Sequence, residues 1–148
     1  MFLFNPSLPP GATPFLGTGG GSGIDTTTLV GPLVAVLLDG NSWKVGDTLP
    51  ILRARLDDAN GAIDLTGASV VIHIRPEKDT VVLLSQSVTI NPNQTTYKGE
   101  ISYSWITGDI SRDGSMQYEF RITFADGRRA TAPSSQYGLI YFEPAISN

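Results

Sequence analysis

His73 is the chain's single histidine, and the chain has no cysteine. Histidine-pair metal sites, thiolate metal sites and disulfides are therefore all excluded. A Ser–His–carboxylate line could be drawn through His73, but no G-x-S-x-G elbow accompanies it. Carboxylates are more plentiful at Asp57, Asp58, Asp64, Asp109, Asp113 and Asp126. The stretch LDDANGAIDLTG faintly resembles a calcium loop. Placing Gly61 at the sixth loop position puts Leu56 where the first ligand belongs and Gly67 where a bidentate Glu is needed, so the match fails at both ends. A carboxylate pair of the glycosidase kind stays open. Every one of these aspartates nevertheless sits in turn-forming context, where solvation accounts for it.

The glycine run Gly17 to Gly23 (GTGGGSG) lacks both the following Lys-Ser/Thr and the G-x-G-x-x-G register, so it is no phosphate cradle. Asn93-Gln94-Thr95 fits a glycosylation pattern, but no secretory signal is read with it. Trp43 is the better of two tryptophans for an exposed sugar-binding platform, whereas Trp105 ends an inward alternation and reads as core. Arg53, Arg55, His73, Arg75 and Arg121 all fall on outward strand positions. Two readings compete for them: ordinary solvated decoration, or, if their strands are neighbours, a basic strip that docks an acidic partner.

The elements that must position these residues are strands. Among 148 residues are 16 glycines and 10 prolines, only 16% are charged, and the net charge is −4. That mixture suits turn-rich β-structure, and the acidic balance argues against binding a phosphate backbone. No stretch approaches the ~20 apolar residues needed to span a bilayer, so no membrane partner is expected. Six segments read as strands: LVAVLL (33–38), LPILRARLDD, ASVVIHIRP, VVLLSQSVTI (81–90), MQYEFRITFADG and YGLIYFE (137–143). A seventh, YKGEISYSW, is expected to turn Tyr97, Ile101, Tyr103 and Trp105 inward. Asn60-Gly61 and Asp126-Gly127 signal hairpins. At most one helical turn is expected, within 104–114. The fold class is therefore all-β, an immunoglobulin-like antiparallel β-sandwich of about seven strands.

An extended N-terminal arm is expected over residues 1–42, with the sandwich at 43–148. The start is too broken by Pro and Gly to fold alone, yet it carries Phe2, Leu3, Phe4, Leu8, Phe15 and Leu16. Those six are the candidate partner-docking residues of the arm.

The ordered set Gly46-Asp47-Thr48, Asp58 to Gly61, Asp64-Leu65-Thr66-Gly67, Gly99 to Trp105, Gly108-Asp109, Asp113 to Phe120, and Asp126-Gly127-Arg128 with Pro133 resembles the immunoglobulin-like domain of tailed-phage baseplate upper proteins. It covers roughly residues 44–143. The resemblance implies a structural virion component of tail, baseplate or neck, made in the host cytoplasm. It further implies no enzymatic activity, no cofactor, and partners that are other phage structural proteins or further copies of the chain. Two departures stand out: the arm has no counterpart in the family pattern, and no long coiled-coil or receptor-binding region follows. A capsid decoration protein and a host-surface carbohydrate- or receptor-binding module are the alternatives.

Overall fold

A computed structural model describes residues 29–146. Among them the chain forms eleven strands and no helix: β1 (Val34–Leu37), β2 (Ser42–Lys44), β3 (Leu52–Asp58), β4 (Gly61–Ala62), β5 (Ser69–Pro76), β6 (Leu84–Ser87), β7 (Thr89–Ile90), β8 (Glu100–Tyr103), β9 (Gly114–Thr123), β10 (Arg129–Ala132) and β11 (Gly138–Glu143). One sheet has the order β1-β3-β8-β7, with β4 also on β3. The other has the order β2-β11-β9-β5-β6, with β10 also on β9. All pairings are antiparallel except that of β2 with β11. This is the strand order of an immunoglobulin-like sandwich, with β1, β3, β8 and β7 as one sheet and β11, β9, β5 and β6 as the other.

Strict alternation builds the core between the sheets. Leu52, Ala54 and Leu56 of β3 are fully buried, as are Met116, Phe120 and Ile122 of β9. Val70, Ile72 and Ile74 of β5 and Ile140 and Phe142 of β11 complete the opposing face. Each large apolar side chain so buried contributes ~1.5–3 kcal/mol before entropy is subtracted. The pairing of β5 with β9 is the longest, from Ser69 opposite Thr123 to Pro76 opposite Met116.

The body begins earlier than residue 43. β1 pairs with β3 over four residues, and Leu33 is buried. Ahead of it, the Val30 carbonyl accepts from Ala59 N–H at 2.7 Å, and Val30 N–H donates to Asp58 Oδ2 at 3.1 Å. The boundary expected at 42/43 thus falls inside the domain, because the chain crosses between sheets at Asp39–Asn41 instead of entering there. A second crossing divides 81–90: β6 lies in one sheet and β7 in the other, with Val88 N–H donating to the Val70 carbonyl between them.

Tyr97 also departs from expectation, since it is exposed. Tyr97 N–H closes a turn onto the Asn93 carbonyl at 2.8 Å, and Gly99 then resets the alternation before β8 starts. Gly99 has φ +79°, and a Cβ there would lie 2.6 Å from the Leu56 carbonyl oxygen. Only glycine fits this approach.

Gln94 is the buried clip of the same corner. Its Oε1 accepts from Leu65 N–H at 3.0 Å and Gly99 N–H at 2.9 Å, and its Nε2 donates to the Asn91 carbonyl at 2.8 Å. The turn expected within 104–114 is closed by Asp109, whose Oδ2 accepts from Tyr103 Oη at 2.7 Å and Ile106 N–H at 2.9 Å. Desolvation first, and the Asp109 hydrogen bond second, push the Tyr103 phenol well above its ordinary value.

Gln94→Leu strands two buried backbone N–H groups at ~1–3 kcal/mol each, so urea denaturation should register a loss of about 2–6 kcal/mol. A raised phenol pKa adds stability below the unfolded value, near ~10, that is lost as pH rises through the folded one. Alkaline unfolding should therefore weaken the protein above pH ~10, and Tyr103→Phe should lack that component of the decline.

Candidate functional site

Turning Val70, Ile72 and Ile74 inward forces Val71, His73 and Arg75 outward on β5, and the same parity projects Gln117, Glu119 and Arg121 outward from β9. The register sets Val71 opposite Arg121, His73 opposite Glu119 and Arg75 opposite Gln117. Arg75 Nε donates to Gln117 Oε1 at 2.9 Å, and Arg121 Nη2 lies 3.7 Å from Glu119 Oε2.

The wall of the site comes from a break in the strand that returns beside β9. Ala132 of β10 pairs with Phe120, and Gly138 of β11 pairs with Tyr118. The single residue Glu119 on β9 is thus opposed by five residues, 133–137, on the return. Pro133 opens this excursion, and with no N–H to give it cannot continue a ladder. Ser134 N–H then donates to the Leu33 carbonyl at 3.0 Å, and Leu33 N–H donates to Ser134 Oγ at 2.8 Å. Gln136 takes φ +62°, and Tyr137 comes to lie with its ring centroid 4.8 Å from Arg75 Cζ. Gly138 must follow, because a Cβ there would sit 2.1 Å from the Tyr118 ring. Burial pushes the Tyr118 phenol up, so it stays protonated beneath the site.

The result is an open cleft of about 310 Å³ lined by His73, Arg75, Val82, Gln117, Glu119 and Tyr137. It sets Arg75 and His73 beside Glu119 and the apolar faces of Val82 and Tyr137. Register also puts Ser85, His73 and Glu119 side by side across three strands. They do not make a nucleophile relay: no hydrogen bond joins them, and Glu119 is turned to Arg121. β5 is paired on both edges there, so its backbone N–H groups serve the ladders and not an oxyanion.

The five outward basic residues do not form one strip. Arg53 and Arg55 lie on β3, in the other sheet, and face away from His73, Arg75 and Arg121. They are also neutralised there. Arg53 lies 3.4 Å from Asp39 and 3.9 Å from Glu100, while Arg55 holds Asp57 through two hydrogen bonds of 2.8 and 3.0 Å. Local alternation gives the facing of a side chain but not which strands share a sheet, and that partition separates the two groups.

Trp43 is not a surface platform. It is 6% exposed, donates from Nε1 to the Pro50 carbonyl at 2.8 Å, and packs edge-on against Trp105 with centroids 5.2 Å apart. Trp105 is core as expected, enclosed also by Tyr103 and Phe142. The turn reading of the aspartates holds at Asp58, Asp64, Asp109 and Asp126, each of which accepts a backbone N–H of its own loop. The Thr66 hydroxyl and N–H hold the Asp64 carboxyl below its usual range, and the Arg128 N–H does the same for Asp126. Asp57 differs, being a strand residue paired to Arg55. Among the described residues no cluster of three His, Asp or Glu side chains could hold a metal. Phe2, Leu3, Phe4, Leu8, Phe15 and Leu16 lie outside the described residues. Sequence reasoning missed Tyr137, Gln117 and Glu119; the signal for Tyr137 was Pro133 interrupting a strand that has to pair.

No protein-family model and no curated protein matches the chain. Among solved structures it is similar to CopC from Methylosinus trichosporium OB3b, 12% identical over 77% of this chain and 98% of that one, with a TM-score of 0.44. It is also similar to murine CRIg, 10% identical over 78% of this chain and 99% of that one, with a TM-score of 0.38. Neither likeness bears on a ligand or partner.

Because Trp43 fills the core, Trp43→Ala should lower unfolding free energy by about 3–5 kcal/mol in a denaturant titration. An exposed sugar platform at that position would leave stability unchanged.

Proposed function

We propose that the chain is a non-catalytic structural component of a bacteriophage virion, in the tail, baseplate or neck, joined to neighbouring subunits through its N-terminal arm. The observation that carries this reading is that residues 29–146 share one hydrophobic core of their own. Its buried members run from Leu33 to Phe142 with Leu29 packed against them, and Val30 is already clipped to the turn between β3 and β4. The preceding segment carries three phenylalanines, Phe2, Phe4 and Phe15. Its apolar content then finds its use against other subunits, where each buried side chain repeats its gain at every copy of a symmetric assembly.

The positions that carry the phage resemblance support the same reading. Asp58, Asp64, Gly99, Asp109 and Asp126 make turns, while Trp105, Tyr118 and Phe120 fill the core. These are the roles of a scaffold. A capsid decoration protein shares this mechanism and differs only in address. The cleft at Arg75 and Tyr137 favours a second reading, a host-surface binding module, which alone requires affinity of the isolated protein for host glycans.

Deleting residues 1–28 should leave the thermal unfolding midpoint within a few degrees of the intact chain and abolish incorporation into particles. Incorporation is read by quantitative mass spectrometry of purified virions from a complemented mutant phage. Normal copy number of the truncated protein would overturn the anchoring role.

A further inference from the structure

We infer that the outer face of the second sheet docks an acidic polypeptide segment in extended conformation, with a carboxylate received by Arg75 and apolar side chains laid on Tyr137, Leu139 and Tyr141. This rests on the reading of the chain as a docking component and names the chemistry of one partner.

Arg75 differs from its counterparts on strands. Arg53, Arg55 and Arg121 each face a carboxylate of their own chain. Arg75 has no carboxylate within 4 Å among the described residues, Glu119 of the same cleft lying against Arg121 instead; its Nε is held by the neutral Gln117 and its plane by the Tyr137 ring. Of the five N–H donors of a guanidinium, four remain for a ligand. The side chain is already fixed from two sides, so little rotamer freedom is left to lose on binding. Carboxylate geometry matches what it presents.

The remainder of the face defines how that carboxylate arrives. Tyr137, Leu139 and Tyr141 are 45%, 39% and 39% exposed and alternate along one edge of the site. At ~3.4 Å per residue, positions four apart span ~14 Å, more than one sugar ring and close to four residues of extended chain. Val82, also exposed, flanks the cleft on the far side. Long polyanions are disfavoured by a net charge of −4, because their charge extends over the whole body. A short segment with one or two carboxylates instead meets the local field of Arg75, within a Debye length of ~8 Å.

The test uses the full chain, labelled with ¹⁵N, and ten-residue peptides in which Glu alternates with Leu, Val or Tyr. Parallel samples receive the Gln and Lys versions, a sialylated trisaccharide and a heparin hexasaccharide. The expected result is amide shifts confined to residues 71–75, 117–121 and 137–141, with affinity falling as salt rises. Arg75→Gln should weaken the Glu peptide at least ~10-fold, Tyr137→Ala should weaken it severalfold, and Arg53→Gln should leave it unchanged. All three variants should keep the parent amide spectrum away from the substitution.

Shifts centred on β3 and β8, equal binding by the Lys peptide, or no effect of Arg75→Gln would overturn the proposal. So would saccharide binding at the cleft with no peptide binding, which favours the host-surface module. Absence of binding by every peptide at millimolar concentration also overturns it. The virion reading is decided separately, by the truncated arm.

Discussion

The antiparallel pairing of β5 with β9 carries both the core and the cleft. Eight residues of each strand are in register, from Ser69 with Thr123 to Pro76 with Met116. A slip of one residue would exchange every inward side chain for an outward one. Ile72 and Phe120, both fully buried, would then be replaced in the core by His73 or Val71 and by Glu119 or Arg121. The cost of burying those charges locks the register. Arg75 therefore stands opposite Gln117 because Ile74 stands opposite Tyr118, so packing inside dictates chemistry outside.

The two outer faces then diverge in charge for a topological reason. On the first sheet β3 lies between β1 and β8, and β8 brings Glu100 opposite Arg55, while Asp39 comes from the connection after β1 and Asp57 from β3 itself. Such exposed pairs contribute little to stability, at ~0–1 kcal/mol each, but they quench the local field. On the second sheet β9 brings one carboxylate, Glu119, and it is turned toward Arg121. Arg75 is thus left without a paired carboxylate beside the exposed Leu139 and Tyr141 of β11.

Much of this architecture was legible in the residues. Period-two alternation in β3, β5, β8 and β9 reveals both the strands and their inward sides, and Asp-containing turns mark where they end. Neighbour relations are different, since they depend on which strands share a sheet, and nothing within a strand records that. Arg53 and Arg75 look equivalent in sequence and lie on opposite sides of the molecule. Short β2 was illegible for a related reason: its three residues carry no period, so the burial of Trp43 follows only from its pairing with β11. Tyr97 departs from the inward alternation because Gly99 resets the parity, and β1, a strand in both sequence and structure, falls ahead of the expected 42/43 boundary because an apolar run between Pro32 and Asp39-Gly40 does not record which strand it pairs with. The phage resemblance concerns turns and core, which are where the pattern is most readable, whereas Tyr137 owes its position to an interruption.

That interruption spans from the start of the described body to the cleft. Residues 133–137 touch Leu33 at one end, through both Ser134 contacts, and Arg75 at the other, through Tyr137. Leu33 lies four residues after Leu29, where the described chain begins. Anything that fixes the arm against a neighbour also restrains Leu33, hence Ser134 and the short path to Gln136. Anything seated on Arg75 restrains Tyr137 at the far end of the same path. A short excursion opened by one proline thus joins the first residues of the body to the wall of the cleft.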